Sequence, residues 1–310
     1  MTDASNTPTG NHGAPGASAK AFVCGWPITH SRSPLIHGYW LKQYGIAGSY
    51  EKIAVEPGTL DRLIDRLRAG EFAGGNVTIP HKEEALRLVD EADAAARAIG
   101  AVNTLFVRDG RVAGTNTDWF GFAANLDRQV PDWTDAASGD RCAPRSRALV
   151  IGAGGAARGI LYALIGRGFN HIHLVNRTVE KAEALAAEFS RGTARVVATG
   201  FETLSELAPS IDLLVNTSSM GMVGQPAMAQ PLLDLIAGFP GHAVVADIVY
   251  VPLETGLLAA ARAHGLRTAD GLGMLLHQAV PGFEKWFGVR PEVSEGLRHH
   301  VLADLAEKQA

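Results

Sequence analysis

A glycine-rich turn between a buried strand and a helix is the clearest chemical feature of the sequence. Residues 148–151 form an apolar run, the turn Gly-Ala-Gly-Gly-Ala-Ala follows, and a helical pattern starts at Arg158. Such a turn brings the backbone close to a pyrophosphate, and the helix N-terminus offers N–H donors and a positive dipole. The sequence therefore predicts a dinucleotide site, with cofactor contacts from Gly152, Ala153, Gly154, Gly155 and Ala156.

The residues after the next strand distinguish between the two nicotinamide dinucleotides. A site for NAD usually carries Asp or Glu there, about 20 residues after the glycines, to bind the ribose hydroxyl. In this chain the run 171–175 ends in Asn176, Arg177 and Thr178. No carboxylate repels a 2′-phosphate, and the guanidinium of Arg177 matches phosphate geometry, with Lys181 nearby. The sequence predicts NADP; the alternative is that Arg177 is a solvated surface arginine.

Polar side chains of several kinds follow other apolar runs, where open α/β sheets bind ligands. Each has an ordinary structural explanation when taken singly. Ser33 is suited to cap a helix with Pro34 at its first position, Asn103 and Asn116 are turn residues, Asp118 is suited to cap a helix, and Lys82 to be a solvated lysine. The segments concerned are 30–34, 76–82, 102–104, 116–118 and 270–278.

The elements that must position these side chains are short strands alternating with helices. This pattern predicts parallel βαβ units, with strands near residues 21–24, 49–54 and 75–78 and a hairpin turn at Asp109-Gly110. A second α/β run has strands near residues 148–151, 171–175, 194–197, 213–215 and 243–248, and the chain ends in helices. Between the two runs, residues 129–146 are polar and rich in turn formers, which indicates a surface loop.

Length and composition set the broad class. The chain has 310 residues, of which 46% are hydrophobic and 19% charged, so two domains with sizeable cores are expected. The net charge of −4 leaves no broad basic field for nucleic acid. With only Cys24 and Cys142, the chain has no disulfide framework. We predict a disordered tail over residues 1–19, no membrane span, no metal site and a cytoplasmic location.

Taken together and in order, the segments closely resemble the shikimate dehydrogenase family, from Phe22 to about Gly288. The resemblance rests on His-Ser-x-Ser-Pro, Asn-Val-Thr-x-Pro-x-Lys, Gly-Ala-Val-Asn-Thr, Asn-Thr-Asp, the glycine turn, Asn-Arg-Thr and the Asp-Gly-Leu-Gly-Met-Leu…Gln ending. It implies a reversible, NADP-dependent reduction of 3-dehydroshikimate to shikimate, in aromatic amino-acid biosynthesis. It also implies an N-terminal α/β substrate domain (20–117) and a Rossmann-type NADP-binding domain (118–270). C-terminal helices (271–310) return to the substrate domain.

The resemblance also implies roles for individual residues. The substrate carboxylate would be bound by Ser31 and Ser33 with help from Tyr250, and the ring hydroxyls and carbonyl by Thr78, Asn103, Asp118 and Gln278. Lys82 would be the catalytic acid/base group, oriented by Asp118, because an ammonium can both stabilise and protonate a developing alkoxide. Ile248 and Gly271 match positions that contact the cofactor.

One departure and two alternatives stay open at this stage. His81 precedes the lysine where the family often has an aromatic residue, and we expect it to be a packing or edge residue. A quinate/shikimate dehydrogenase with relaxed substrate or cofactor use would share the fold, although Ser33 and Arg177 speak against it. A non-catalytic binding module would be expected to lack Lys82 and Asp118. A small molecule is the expected partner, and a homodimer is the assembly considered.

Overall fold

The computed structural model describes residues 19–135 and 146–307. The predicted N-terminal tail lies outside the described residues, except for Ala19, which already belongs to the first strand. Most of the predicted loop 129–146, with Cys142, also lies outside them. Cys24 is buried in the first strand, and burial raises the pKa of its thiol to about 12.

The first sheet is built from the N-terminal part of the chain. Its strand order is β2-β1-β3-β5-β6-β4. The elements are β1 (Ala19–Gly25), α1 (Ser33–Gln43), β2 (Gly48–Ala54), α2 (Leu60–Arg68), β3 (Gly74–Val77), α3 (Lys82–Leu88), β4 (Glu91–Ala92), α4 (Ala94–Ile99), β5 (Thr104–Arg108) and β6 (Arg111–Thr115).

This sheet is mixed rather than parallel throughout. Strand β1 pairs in parallel with β2 and β3, but β5 runs antiparallel to both β3 and β6. The predicted hairpin is confirmed: Asp109 (φ 50°) and Gly110 (φ 74°) are left-handed and join β5 to β6. The predicted parallel units are therefore found at β1, β2 and β3, and the antiparallel pairs lie where the predicted hairpin strand β5 enters the sheet.

The second sheet is parallel and has the order β12-β11-β10-β7-β8-β9, the two-halved arrangement of dinucleotide-binding sheets. Alternate residues of β7 are buried on opposite faces, Ala148 and Val150 in one core, Leu149 and Ile151 in the other. Its elements are α5 (Asp118–Gln129), β7 (Arg147–Ile151), α6 (Gly155–Gly166), β8 (His171–Val175), α7 (Val179–Phe189), β9 (Arg195–Ala198), α8 (Leu204–Leu207), β10 (Leu213–Asn216), α9 (Gln230–Asp234), β11 (Val244–Asp247), α10 (Gly256–Ala263) and β12 (Arg267–Ala269).

The C-terminal helices α11 (Leu272–Phe287) and α12 (Glu295–Glu307) return to the first sheet. Helix α11 packs lengthwise on α5 and reaches the first sheet through Trp286, whose indole N–H donates to the carbonyl of Leu105 at 2.8 Å. Arg32, just before α1, pairs with Asp304 of α12 at 2.9 Å. The two ends of the chain therefore form one body around the first sheet.

Two details of the sequence-based assignment need correction. Arg32, not Ser33, is the residue that caps α1, so the helix begins one residue earlier and Ser33 is its first residue. Strands β4 and β12 were not predicted. Both are very short and carry charged or polar residues, so neither has the apolar run that marked the other strands.

Candidate active site

A cavity of about 570 Å³ opens where loops of the first sheet face the loop after β11 and helix α11. Its polar wall comes from residues far apart in the sequence, because β1, β3 and β5 all bring their ends to this place. The structure gathers here every side chain that the sequence suggested for substrate binding: Ser31, Ser33, Thr78, Lys82, Asn103, Asp118, Tyr250 and Gln278.

An ion pair lies in the wall of this cavity. Lys82, the first residue of α3, places Nζ 2.7 Å from Oδ2 of Asp118, the first residue of α5. The Lys82 side chain is 27% exposed and that of Asp118 only 7%, so the ammonium faces the cavity and the carboxylate stands behind it. Asn103 donates from Nδ2 to Asp118 Oδ1 at 2.8 Å. Both carboxylate oxygens thus accept a hydrogen bond, and the ammonium keeps further donors for a ligand.

His81 is a packing residue and not an edge residue. Its ring is 1% exposed, with Nε2 2.7 Å from the carbonyl of Val55 and Nδ1 3.2 Å from Glu84. These contacts lead away from the cavity and fix the turn from which Lys82 projects.

The cavity wall also carries hydroxyl groups. The Ser31 hydroxyl oxygen accepts the Ser33 amide at 3.3 Å, which leaves the Ser31 hydroxyl hydrogen available to a ligand, while the Ser33 hydroxyl also interacts with Tyr50. Arg32 also lines the cavity. Burial raises the pKa of Tyr250, and the nearby Arg32 opposes the shift, so the phenol remains a donor at neutral pH. This part of the wall suits an anion.

The predicted dinucleotide turn leads from β7 into α6. Gly152 has φ 103°, and a Cβ there would lie 2.8 Å from the hydroxyl of Thr217 at the end of β10. At Gly154 and Gly155, an added Cβ would meet no described atom within 4 Å. The start of α6 is therefore open, with unsatisfied backbone N–H groups facing outward.

The end of β8 approaches this turn. Asn176 accepts the Ala153 amide at 3.2 Å and donates to the carbonyl of Thr178 at 2.8 Å, which fixes both loops. Arg177 and Lys181 are exposed, and within the described ranges neither has an ion pair. Thr178 occupies the N-cap position of α7, but its hydroxyl makes no capping hydrogen bond. Unpaired cations beside an open helix N-terminus suit a phosphate.

Ile248 and Gly271 connect the turn to the cavity. Ile248 packs on the core that also contacts Ala153. A Cβ on Gly271 would lie 2.3 Å from the Ile248 carbonyl oxygen, so only glycine lets α11 begin this close to the end of β11. Gly271 thus lies against Ile248 and Val249, directly before Tyr250 of the cavity wall in the sequence.

Two residues of this region were missed from the sequence. Met222, in the loop after β10, lines the cavity, and Thr217 donates from its hydroxyl to the carbonyl of Ile151 at 2.8 Å, beneath the glycine turn. Thr217 directly follows a central strand, and this position was the available signal for it. Across the described ranges, no three His, Cys, Asp or Glu side chains are grouped to hold a metal, and no helix has the length and apolarity to cross a bilayer.

Comparisons with known proteins point to a single family. Three family models match: shikimate dehydrogenase substrate binding domain (residues 23–105), shikimate / quinate 5-dehydrogenase (137–235) and shikimate 5'-dehydrogenase C-terminal domain (271–296). The shikimate dehydrogenase (NADP(+)) of Brucella melitensis is 53% identical over 94% of this chain and 96% of its own. That of Chelativorans sp. is 54% identical over 92% and 96%.

Solved structures resemble the chain over nearly its whole length. Thermus thermophilus shikimate 5-dehydrogenase, in complex with NADP(H) and shikimate, is 34% identical with a TM-score of 0.75, over 91% of this chain and 99% of that one. Quinate dehydrogenase from Corynebacterium glutamicum, in complex with NAD, is 30% identical with a TM-score of 0.80, over 92% and 99%. The predicted α/β fold class is confirmed.

Proposed function

The chain belongs to the shikimate dehydrogenase family, and we propose that it catalyses the reversible, NADP-dependent reduction of 3-dehydroshikimate to shikimate, in aromatic amino-acid biosynthesis. The observation that carries the proposal is the Lys82–Asp118 pair, 2.7 Å apart in the wall of a cavity that serine hydroxyls also line. A ring with a carboxylate at one end and a carbonyl at the other fits this arrangement.

The cavity wall divides into groups suited to different parts of the substrate. Ser31, Ser33 and Tyr250 hold the carboxylate, since three hydroxyl donors converge near Arg32. The ring hydroxyls and carbonyl are bound by other side chains of the wall, which are Thr78, Asn103, Asp118 and Gln278.

The nucleotide turn fits a phosphorylated dinucleotide. The open N-terminus of α6 receives the pyrophosphate on Gly152, Ala153, Gly154, Gly155 and Ala156. Asn176, Arg177, Thr178 and Lys181 would hold the 2′-phosphate, and Ile248 and Gly271 would contact the nicotinamide end. When bound, NADPH supplies the hydride for the carbonyl carbon.

Lys82 is the acid/base group of the reaction. Its ammonium donates to the substrate carbonyl oxygen, stabilises the negative charge that develops there and gives up a proton to it. The carboxylate of Asp118 holds the ammonium in that direction. In the reverse reaction Lys82 accepts the proton of the substrate hydroxyl, so oxidation of shikimate is expected to be faster at alkaline pH.

The proposal extends to organisation and location. A substrate-binding domain comprises residues 20–117 and 271–310, and an NADP-binding domain comprises residues 118–270. The return of α11 to the first sheet through Trp286 supports this division. A cytoplasmic homodimer is the form in which we expect the enzyme to act, and light scattering of the purified chain tests the assembly.

One absorbance experiment at 340 nm tests the activity. The purified chain is given shikimate or quinate, each with NADP⁺ or NAD⁺. We expect the highest kcat/KM with shikimate and NADP⁺. Comparable values with quinate or NAD⁺ would establish the relaxed quinate/shikimate dehydrogenase instead. Absence of turnover with every pair, together with binding of shikimate, would establish a binding module.

A further inference from the structure

A continuous chain of side-chain hydrogen bonds runs behind the cavity wall. The Tyr50 hydroxyl on β2 donates to Asn76 Oδ1 on β3 at 2.6 Å, and Asn76 Nδ2 donates to Thr104 Oγ1 on β5 at 3.1 Å. Thr104 Oγ1 donates to Asn103 Oδ1 at 2.9 Å, and Asn103 Nδ2 donates to Asp118 Oδ1 at 2.8 Å. The chain therefore ends on the carboxylate that holds Lys82.

These hydrogen bonds fix the orientation of the side-chain amide of Asn103. An amide presents a donor on one side and an acceptor on the other, and only the donor side can stabilise a carboxylate. The Thr104 hydroxyl and the Thr117 backbone N–H, at 2.8 Å, both donate to Asn103 Oδ1. With its oxygen bound in this way, Asn103 must turn Nδ2 toward Asp118. A rotated amide would set two oxygens against each other.

Thr104 can influence the cavity only through its partners. It is fully buried, and it does not line the cavity, whereas its partners Asn76 and Asn103 do. Asn76 and Thr104 are direct cross-strand neighbours, so the pairing of β3 with β5 sets the length of this link.

The far end of the chain is fixed by packing. The His37 ring stacks on Tyr50 with centroids 4.0 Å apart and planes at 17°. Burial raises the pKa of Tyr50 well above its ordinary value, so the phenol is protonated and donates at neutral pH. Because the Tyr50 hydroxyl donates to Asn76 Oδ1, the amide of Asn76 is oriented with Nδ2 toward Thr104, to which it donates.

We infer that Thr104 and Tyr50 are positioning residues for the acid/base pair: they fix the amide of Asn103 so that it donates to Asp118, which in turn orients Lys82. This inference rests on the proposed function. It assigns a task to residues that lie outside the predicted site and do not contact the substrate.

A double-mutant cycle tests the inference. Thr104→Val keeps the shape of the side chain and removes one of the three donors to Asn103 Oδ1, leaving the backbone N–H and the hydroxyl of Thr117. In the otherwise unchanged chain it should lower kcat/KM for shikimate about tenfold, the factor expected from the loss of one well-placed hydrogen bond, and leave the KM for NADP⁺ unchanged. In an Asp118→Asn chain the same change should lower kcat/KM less than about twofold, because residues that act through one group are not additive.

Two matched variants distinguish an effect on the orientation of Asn103 from an effect on the stability of the fold. Thr104→Ser keeps the hydroxyl and should recover most of the activity. Thr115→Val makes the same chemical change at the residue directly opposite Thr104 on β6, where the hydroxyl bonds to Asp93 instead of Asn103. It should leave kcat/KM for shikimate within about twofold, whatever it does to the unfolding midpoint.

The outcomes are distinct from a failure of the proposed function, since activity of the unmutated chain on shikimate is measured first. Equal losses from Thr104→Val in both backgrounds would overturn the inference, and so would a loss that Thr104→Ser does not recover. If Thr104→Val does not fold, Tyr50→Phe replaces it in the same cycle, because the loss of the phenol hydroxyl releases Asn76 and through it Thr104. For this variant kcat is compared instead of kcat/KM, since Tyr50 also hydrogen-bonds Ser33 of the substrate site.

Discussion

Lys82 is held by contacts of its own turn as well as by its ion pair. The ring of His81 is 2.7 Å from the carbonyl of Val55, and the Lys82 carbonyl accepts the Val102 amide at 2.9 Å. Lys82 contacts Asp118 through its ammonium group and not through its backbone. Removal of the side chain should therefore leave the turn in place and affect the chemistry selectively.

Lys82→Ala is expected to lower kcat by roughly 10²–10⁴-fold, the range of general acid–base catalysis, with a smaller change in the KM for shikimate. Steady-state kinetics at saturating NADP⁺ measures this. Lys42→Ala, which removes an exposed lysine at the end of α1, is the matched control and should retain full activity. A near-normal kcat in Lys82→Ala would remove the lysine from the mechanism.

Arg177 is the residue expected to select the phosphorylated cofactor. Arg177→Ala should raise the KM for NADPH about 10- to 100-fold, since charge-assisted hydrogen bonds to a phosphate are lost, and change the KM for NADH less than about twofold. Arg191→Ala, at another exposed arginine of the same domain, controls for net charge. Equal changes for the two cofactors would show that selection lies elsewhere.

Helix α6 joins the glycine-rich turn to the acid/base pair. The helix begins at the turn, and one turn later Gly159 faces the start of α5. A Cβ on Gly159 would lie 3.2 Å from Cβ of Asp118 and 3.5 Å from the Trp119 amide nitrogen. The helix that receives the pyrophosphate and the carboxylate that holds Lys82 are therefore in direct contact, so displacement of one moves the other.

Gly159→Ala tests this contact. The new methyl group should displace Asp118 by a few tenths of an ångström and lower kcat about tenfold, because acid/base geometry tolerates little misplacement. The helix gains up to about 1 kcal/mol from the loss of glycine, and this gain offsets the cost of the tight contact at Asp118, so the unfolding midpoint should change little. Gly166→Ala, near the end of the same helix, meets no described atom within 4 Å and is the control. Unchanged kcat in Gly159→Ala would show that the contact does not position Asp118.

The cofactor site could be predicted from local sequence patterns. The contacts of the substrate site could not, because they join residues that are far apart in the sequence. The glycine turn and Arg177 lie in short segments whose residue types state their chemistry, and the fold class, family and cofactor predictions are confirmed. The pairing of Lys82 with Asp118 followed only from the resemblance, because no local pattern joins residues 36 positions apart. Met222 depends on a loop whose position only tertiary packing decides. The individual roles in the site stay predictions.

The whole molecule is held together where its C-terminal helices return to the first sheet. His37 on α1 is buried there among Trp40, Tyr50, Phe283 and Trp286. Burial lowers the pKa of His37 to about 3, so the imidazole is neutral in the folded chain. In the unfolded chain a histidine titrates near pH 6.5.

This difference predicts how stability depends on pH. The unfolded chain binds a proton at His37 below about pH 6.5 and the folded chain does not until about pH 3, so the contribution is fully present above that window and is lost as pH falls through it. Relative to His37→Phe, the unmutated chain should lose about 2 kcal/mol of unfolding free energy between pH 7 and pH 5. Urea unfolding at the two pH values measures it. Equal losses in both chains would mean that His37 titrates normally.

Transfer of a hydride from NADPH to 3-dehydroshikimate is the most direct consequence of packing the helix that follows the glycine turn against Asp118 of the cavity wall. The decisive measurement uses NADPH deuterated at C4, in each of its two configurations, and mass spectrometry of the product. We expect shikimate that is one mass unit heavier from one configuration and unlabelled shikimate from the other. Unlabelled shikimate from both configurations, or no shikimate at all, would contradict the proposed function.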